Sequence, residues 1–316
     1  MTGKFFVTGA TGCIGGWVVK NLVESGAEVY ALARSGSLQR LSLIMSEKDI
    51  AKVHVIRGDL TDARLVDSSV AKHGIDRIIH LAAMQLPLCR ADPGLGARVN
   101  VEGTINVFEA AKKNDIELIV FSSSTAVYGT RHEYRDARIG HGARLLPHSL
   151  YGAYKQANEC CAKTYFELDG ISSIGIRPYV VYGPLRDQGM TSTPTSAMKA
   201  AVRREKYEIS YGGRFDFQYA DDTAKAFILA ACAHYEGANT YNLGGQCVTM
   251  KDVVRAIGQA EPGAEDLITY VDTPLPFPPD ADNSELEKIT GPVCMTPLVD
   301  GVETSMEIFR RNASTQ

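Results

Sequence analysis

Short apolar runs alternate with helix-length segments along the first 180 residues, and this alternation restricts the fold more than any other feature. The runs are apolar throughout, which is typical of strands buried on both faces of a parallel sheet. Segments between them, such as "IGGWVVKNLVESGAEV", carry apolar residues at three- and four-residue steps, as amphipathic helices do. Right-handed crossovers would wind these units into a doubly wound α/β sheet. The runs are "KFFVTGA", "AEVYALAR", "KVHVIRGD", "DRIIHLAA", "IELIVFSSS" and "SSIGIRPYVVYG".

The regular alternation of apolar runs and helix-length segments ends after about residue 180, where turns become frequent. The prolines of the run "VDTPLPFPPDADN" exclude a helix or a central strand there. We therefore predict a doubly wound domain over residues 1–180 and a smaller substrate-binding lobe over residues 181–316. The segment "FDFQYADDTAKAFILAACAH" reads as a strand and a helix, so the chain is expected to return to the first domain near residues 214–235.

Composition excludes several functional classes. The net charge of −4 is spread along the chain, so no broad basic face is expected for nucleic acid or for a membrane surface, and a small-molecule partner fits better. The seven cysteines include no CxxC pair, which argues against a disulfide framework or a zinc site and favours a reducing cytoplasm. A secretory leader and a membrane-spanning stretch are not expected either.

A glycine-rich turn, "VTGATGCIGG", follows the first apolar run and opens the first amphipathic segment. One interpretation is a phosphate-binding turn, in which missing side chains let a pyrophosphate reach amides at a helix N-terminus. The other is a tight turn that binds nothing. The phosphate interpretation assigns contacts to Gly9, Thr11, Gly12, Cys13, Ile14 and Gly15.

The end of the second run indicates which dinucleotide would bind. An acidic residue there would accept hydrogen bonds from a free ribose 2′-hydroxyl, but "ALARSGS" offers Arg34 and Ser35 instead. Because a guanidinium pairs well with a 2′-phosphate, the sequence favours NADP over NAD.

Two further motifs contain side chains that could take part in catalysis. In "YGAYK", Tyr151 and Lys155 lie four residues apart on one helix face, where the ammonium can favour a phenolate; chance spacing is the alternative. In "FSSSTAVYG", Ser122 to Ser124 end a predicted parallel strand, at the sheet edge where ligands bind. A hydroxyl there can hydrogen-bond a substrate oxygen, or the serines simply end the strand.

The motif order resembles the extended short-chain dehydrogenase/reductases, the family of NAD-dependent sugar epimerases and dehydratases, over nearly the whole chain. This resemblance implies a Rossmann fold for the first domain, hydride chemistry and a homodimer. It further implies that Ser124, Tyr151 and Lys155 are the catalytic serine, the tyrosine acid/base and the lysine that binds the nicotinamide ribose. The other implied positions are Asp59 and Leu60 beside the adenine, Leu81, Ala82 and Ala83 along the ribose and pyrophosphate, Asn100 between a central helix and strand, and Pro178 and Tyr179 against the nicotinamide.

Departures from the family pattern narrow the expected chemistry. Thr125 and Ala126 stand where family dehydratases carry an acidic pair, so dehydration is disfavoured. Val180 and Phe215 replace an asparagine and an arginine that contact the diphosphate in nucleotide-sugar epimerases, so a nucleotide-linked sugar is in doubt. Arg214 or Arg186 remains available for a substrate anion.

The basic loop between the serine and the tyrosine has two interpretations: a surface that receives a substrate anion, or a solvated loop whose arginines pair with Glu133 and Asp136. No metal site is assigned, because its histidines lack ligand spacing on a helix. Its basic residues are Arg131, His132, Arg135, Arg138, His141, Arg144 and His148.

Together these features predict an NAD(P)-dependent oxidoreductase acting at a secondary alcohol or ketone carbon of a sugar-like or sugar-acid-like molecule. An NAD-dependent nucleotide-sugar epimerase, which oxidises its substrate transiently, uses the same residues and stays open. A dinucleotide-sensing protein without catalysis is the alternative from another class.

Overall fold

The computed structural model describes residues 3–313 and contains a parallel sheet of seven strands. The strands of this sheet and of three smaller sheets are, in chain order, β1 (Lys4–Thr8), β2 (Glu28–Ala33), β3 (His54–Arg57), β4 (Arg77–His80), β5 (Leu118–Ser122), β6 (Arg138–Ile139), β7 (Ser172–Arg177), β8 (Val180–Tyr182), β9 (Tyr207–Ile209), β10 (Arg214–Tyr219), β11 (Ala238–Asn242), β12 (Gln246–Thr249), β13 (Ile268–Tyr270) and β14 (Asp280–Ala281). The order in the large sheet is β3-β2-β1-β4-β5-β7-β11, and every neighbouring pair is parallel.

Helices cover both faces of this sheet. They are α1 (Cys13–Glu24), α2 (Glu47–Ile50), α3 (Ala63–His73), α4 (Leu86–Ala91), α5 (Pro93–Ala97), α6 (Gly103–Lys113), α7 (Leu150–Asp169), α8 (Thr193–Val202), α9 (Ala220–Cys232), α10 (Met250–Ala260), α11 (Ser284–Thr290) and α12 (Leu298–Ala313). Alternate side chains of β1 enter different cores: Phe5 and Val7 pack with Trp17 of α1, whereas Phe6 packs with Phe108 of α6. This two-sided burial explains the apolar residues of central strands such as β1 and β5, and the doubly wound fold predicted from sequence is confirmed.

The strand order reverses between β1 and β4, since β2 and β3 lie on one side of β1 and the later strands on the other. In doubly wound sheets, the crevice at the carboxyl ends of such neighbouring strands is the usual ligand site. The fold therefore brings the glycine turn after β1 close to the segments that follow β4 and β5.

The run "SSIGIRPYVVYG" forms two strands instead of one. Pro178 has no N–H to donate to a sheet ladder, so β7 ends at Arg177 and the chain leaves the large sheet. The next strand, β8, pairs with β10 in a three-stranded sheet that also contains β12. Smaller pairs join β9 to β13 and β6 to β14.

The return to the first domain differs in detail from the expected residues 214–235. Helix α9 packs against α1, and β11 adds the last strand to the large sheet, whereas β10 stays outside that sheet with β8 and β12. The first two residues of the predicted domain 1–180 and the last three of the predicted lobe 181–316 lie outside the described residues. Within the described part of the chain, no helix is long and apolar enough to cross a membrane.

Candidate active site

The glycine turn leaves the start of α1 without a side-chain cap. Gly12 is the N-cap residue and donates its N–H to the Gly9 carbonyl, 2.8 Å away. Gly9 has φ +68°, and a Cβ there would lie 2.6 Å from the Ala82 nitrogen. A Cβ on Gly15 would overlap the Gly9 carbonyl oxygen. Glycine is therefore required at positions 9 and 15, and the uncapped amides of α1 can hold a phosphate group.

A central cleft of about 670 Å³ runs from this turn along the carboxyl ends of the strands. Ser35, which was predicted beside the coenzyme ribose, does not line it, and neither does Asn100, which the family resemblance placed between a central helix and strand. The Ser35 hydroxyl accepts a hydrogen bond from the Ser37 amide in a surface turn. The predicted residues that do line the cleft are Gly9, Thr11, Gly12, Cys13, Ile14, Gly15, Arg34, Asp59, Leu60, Leu81, Ala82, Ala83, Ser122, Ser124, Tyr151, Lys155, Pro178 and Tyr179.

The predicted catalytic residues meet on one wall of the cleft. Helix α7 begins beside it because the Ser149 side chain caps the helix, accepting the Gly152 N–H at 3.1 Å. Tyr151 and Lys155 then lie one turn apart, and the Lys155 Nζ is 5.8 Å from the centre of the Tyr151 ring. Ser124 follows β5 and hydrogen-bonds with Tyr151. The spacing in "YGAYK" therefore places both groups next to the serine.

The groups that shift the pKa of Tyr151 differ from those expected from the sequence. Burial raises the pKa of Tyr151, while the Ser124 hydrogen bond and the charge of Arg186 act in the opposite direction. Lys155, which we expected to lower the pKa of this tyrosine, is not among the groups that shift it. Its ammonium instead donates to the Ser122 carbonyl at 2.6 Å, and burial lowers the pKa of Lys155 to about 8.

Asn100 lies behind the cleft wall, in a π-helical turn over Arg98–Glu102. Its Oδ1 accepts the Met84 N–H at 2.9 Å, and its Nδ2 donates to the Met84 carbonyl at 3.0 Å. The side chain thus fastens the segment after β4 to the helix, which agrees with the positioning role that the family resemblance implied.

A buried chain of hydrogen bonds connects this turn to β1, and sequence reasoning missed it. Thr104 donates to the Asn100 carbonyl at 2.6 Å, so its hydroxyl oxygen accepts from His80 Nε2 at 3.0 Å. His80 Nδ1 then accepts from the Thr8 hydroxyl at 2.6 Å. Thr8 in turn accepts the Leu81 N–H at 3.2 Å. The available signal was His80 itself, a polar residue that follows two isoleucines at the carboxyl end of β4.

His80 should make the protein acid-sensitive. Burial lowers its pKa from 6.5 to about 3, so the folded protein keeps it neutral while the unfolded chain protonates near pH 6.5. A folded-state pKa that lies below the unfolded value means that stability is lost as the pH falls from 6.5 toward 3, by about 1.4 kcal/mol per pH unit for this group. Urea unfolding measures the free energy of unfolding between pH 7 and about pH 5. As the pH falls over this range, that free energy should decrease less in His80→Gln than in the wild type. Parallel pH curves for the two proteins would contradict this prediction.

The described basic side chains of the loop between Ser124 and Tyr151 are not part of the cleft lining. Arg138 pairs with Asp282 at 3.0 Å, and His148 Nε2 lies 2.8 Å from Glu133. The solvated-loop interpretation is therefore favoured, although its arginine partner is Asp282 instead of the expected acidic residues. Within residues 3–313, no group of three His, Cys, Asp or Glu side chains is arranged to hold a metal ion.

The two arginines proposed to bind a substrate anion differ in their position relative to the cleft. Arg214 is exposed, donates to the Cys247 sulfur at 2.9 Å and lies outside the cleft lining, whereas Arg186 lines the cleft. Arg40, which sequence reasoning missed, forms a two-point ion pair with Asp187 and donates to the Thr11 carbonyl at 2.9 Å. Arg40 and Asp187 are far apart in sequence, so no local pattern pairs them.

This chain resembles known proteins in both sequence and fold. Residues 5–244 match the model of the NAD dependent epimerase/dehydratase family. The UDP-glucose 4-epimerase of Mycolicibacterium smegmatis is 29% identical, with 98% of this chain and 99% of that protein covered. The UDP-N-acetylglucosamine 4-epimerase of Methanobrevibacter ruminantium, solved with UDP-N-acetylmuramic acid, has a TM-score of 0.85 and 25% identity over 98% of this chain and 99% of that one. The Thermus thermophilus UDP-glucose 4-epimerase, solved with NAD, has a TM-score of 0.79 and 25% identity over 97% and 99%.

Proposed function

This chain belongs to the NAD-dependent epimerase/dehydratase family, and from that premise we propose that it transfers a hydride at a secondary alcohol or ketone carbon of a sugar-like or sugar-acid-like small molecule. The observation that carries the proposal is that Ser124, Tyr151 and Lys155 line the same cleft as the glycine turn. A dinucleotide bound along that turn would share the cleft with the substrate.

The cleft fits a nicotinamide dinucleotide. Its glycine turn has no room for side chains at Gly9 and Gly15, and it leaves the amides at the start of α1 uncapped, which suits a pyrophosphate. Asp59 and Leu60 line the part of the cleft assigned to the adenine. When bound, the nicotinamide supplies the hydride acceptor or donor.

Side chains of the protein would transfer the proton of the substrate hydroxyl. Ser124 would hold the substrate oxygen, and the Tyr151 hydroxyl would exchange a proton with it. Because burial raises the pKa of Tyr151, the hydroxyl is protonated at neutral pH and is ready to act as an acid toward a ketone. In the oxidation direction, positive charge is needed to favour the phenolate, and Arg186 and Lys155 are cations within the same cleft.

NADP is the proposed coenzyme. Support comes from Arg34, an exposed residue that lines the cleft after β2 and has no hydrogen-bond or ion-pair partner among the described residues. The residues directly after β2, Arg34 and Ser35, include no acidic side chain to read a 2′-hydroxyl. Asp59, which lines the cleft after β3, accepts a hydrogen bond from the Thr61 hydroxyl. The comparisons give NADP no support, because the similar T. thermophilus epimerase was solved with NAD.

Replacing Arg34 with alanine should therefore narrow the difference between the two coenzymes. Wild-type protein should bind NADPH more tightly than NADH, and the variant should lose roughly 10-fold or more of that preference, because a charge-assisted pair with phosphate is removed. Fluorescence titration with both coenzymes measures this. Arg64→Ala, at the start of α3 and outside the cleft lining, is the control. A clear NADH preference in the wild type would refute the NADP proposal.

Nucleotide-sugar epimerisation is the second candidate, and the similarity to UDP-sugar 4-epimerases favours it. It uses the same serine, tyrosine and lysine with transient oxidation of the substrate. Against it stand Val180 and Phe215 at the positions that contact the diphosphate in such enzymes. A homodimer and a cytoplasmic location belong to the same proposal: the first is supported by the family resemblance, and the second by the seven free cysteines.

Turnover assays separate these candidates. Sugars, sugar acids and UDP-sugars are incubated with each coenzyme while nicotinamide absorbance and product stereochemistry are followed. Net redox predicts that reduced coenzyme accumulates in proportion to product, whereas epimerisation predicts an altered stereocentre with no net coenzyme reduction. Tight coenzyme binding without turnover across the panel would instead indicate the non-catalytic sensor and overturn the proposed function.

A further inference from the structure

Arg186 is a half-buried cation of the central cleft whose charge is not neutralised by the protein. Its Nη2 donates to the Thr191 hydroxyl at 2.9 Å, but its Nε is buried and has no acceptor among the described residues. No carboxylate of residues 3–313 pairs with it. The adjacent Asp187 is engaged elsewhere, because it forms its ion pair with Arg40 at 2.6 Å.

An unpaired donor and charge in this position are costly for the folded protein. A buried N–H without an acceptor is destabilising, and an uncompensated cation is more so as its surroundings exclude water. A site that retains such a group is suited to an anion that arrives from outside. Arg186 therefore needs a partner that the described residues do not provide.

The charge of Arg186 acts on the reacting end of the cleft. It opposes the rise in pKa that burial causes at Tyr151, Tyr211 and Cys13, so the guanidinium lies within electrostatic reach of the proposed acid/base, of the substrate lobe and of the glycine turn. Tyr211 also donates to the Thr191 carbonyl at 3.5 Å, next to the hydroxyl that receives Arg186 Nη2. An anion on Arg186 would thus belong to a molecule that also approaches Tyr151.

The cleft that contains Arg186 also has several apolar and aromatic side chains in its lining. Tyr179 packs its ring edge-on against Phe277, with 6.5 Å between the ring centres. Leu275, Met84 and Met190 also line the cleft. Such a lining favours a compact substrate with limited charge over a long polyanion.

A diphosphate would lack partners here. Phe215 is fully buried and packs edge-on against the Tyr211 ring, 5.4 Å between centres, so it offers no donor. Val180 is also buried. The other cations of the cleft are assigned or neutralised: Arg34 is proposed for the coenzyme 2′-phosphate, Lys155 donates to the Ser122 carbonyl, and Arg40 is paired with Asp187. Arg186 is then the guanidinium left unassigned among the described cleft residues. One free guanidinium matches one carboxylate in charge and geometry.

We propose that Arg186 is the substrate-anion residue of this site, and that the substrate is a secondary alcohol or ketone carrying a free carboxylate, such as a sugar acid or another hydroxy acid, without a nucleotide diphosphate. The inference rests on the proposed hydride chemistry at Tyr151. Arg186 touches the carboxylate and fixes the distance between that group and the reacting carbon.

The test compares each acid with its methyl ester, which has nearly the same shape but no charge. Glucuronate, galacturonate and 3-phenyllactate are assayed beside their methyl esters with wild type, Arg186→Gln and the control Arg214→Gln. In the wild type, kcat/KM should favour at least one acid over its ester. Arg186→Gln should lose roughly 10- to 100-fold of that preference, as expected for a charged hydrogen-bonded pair, and Arg214→Gln should retain it.

Two binding measurements need no turnover. Thermal shifts with saturating NADP⁺ should show that the preferred acid stabilises the wild type more than its ester does, and that this difference disappears in Arg186→Gln. The Kd for NADPH should be equal in both proteins. If Arg186→Gln weakens NADPH binding and leaves the preference for acids intact, Arg186 serves the coenzyme pyrophosphate and the inference is wrong.

The remaining outcomes separate the inference from the proposed function. Thermal protection by UDP, or turnover of UDP-sugars but of no free acid, would overturn the carboxylate assignment and leave the hydride chemistry standing. If acids, esters, sugars and UDP-sugars all fail with both coenzymes, the inference and the proposed function fail together.

Discussion

Replacing Tyr151 with phenylalanine should lower kcat by roughly 100- to 10,000-fold, because the substitution removes the proton donor and leaves the ring in place. The hydroxyl hydrogen-bonds with Ser124 at the cleft wall, where it can reach a substrate oxygen that the serine also holds. Coenzyme affinity should change little, since the glycine turn and Lys155 are untouched. Steady-state kinetics and a fluorescence titration with NADPH measure the two effects.

Tyr154→Phe is the matched control, because this tyrosine lies on the same helix but donates its hydroxyl to the Pro93 carbonyl at 2.9 Å. It should retain nearly full activity. If Tyr151→Phe kept more than about a tenth of wild-type kcat, the general-acid role would be excluded on the usual magnitude of such catalysis.

The second large effect is expected at Arg177, whose buried ion pair with Glu159 holds α7 against β7. The guanidinium donates to both carboxylate oxygens, at 2.9 and 2.6 Å, and the two side chains are only 5% and 8% exposed. Ser123 also donates to Glu159, at 2.5 Å, so the pair reaches the segment that carries Ser124. Arg177→Met would leave a buried carboxylate without its cation and should reduce the free energy of unfolding by about 3–5 kcal/mol.

Lys112→Met provides the control for this loss, because Lys112 pairs with Asp169 at the other end of α7 at 2.7 Å but is 46% exposed. An exposed pair of this kind contributes about 0–1 kcal/mol. Urea unfolding monitored by circular dichroism measures both variants. Equal losses in the two would show that burial adds nothing to the Arg177 pair, and the prediction would be wrong.

Features of the fold that depend on local pattern were predictable from sequence. The apolar runs became strands of the doubly wound sheet because a strand buried on both faces needs apolar residues at every position. The spacing in "YGAYK" put Tyr151 and Lys155 one helical turn apart. Pro178 carried a signal that was overlooked, since a residue without an N–H ends β7 and starts the path into the three-stranded sheet.

Contacts between distant segments were not predictable in the same way. The chain from Thr8 through His80 and Thr104 joins two strands and a helix, and Arg40 reaches Asp187 across 147 positions. Neither has a periodicity or a spacing that could be read in advance. Ser35 was assigned to the cleft from its place in the chain, but its hydroxyl accepts a hydrogen bond from the Ser37 amide in a surface turn.

Local sequence patterns were enough to predict the class of fold, the glycine turn and the one-turn spacing of Tyr151 and Lys155, because each depends on short-range geometry or on residue type. Tertiary structure alone decided that Arg186 lines the cleft while Arg214 does not, and that burial raises the pKa of Tyr151. The physical reason is that burial, charge compensation and hydrogen-bond partners are properties of what surrounds a side chain. Those surroundings are assembled from segments that lie far apart along the chain.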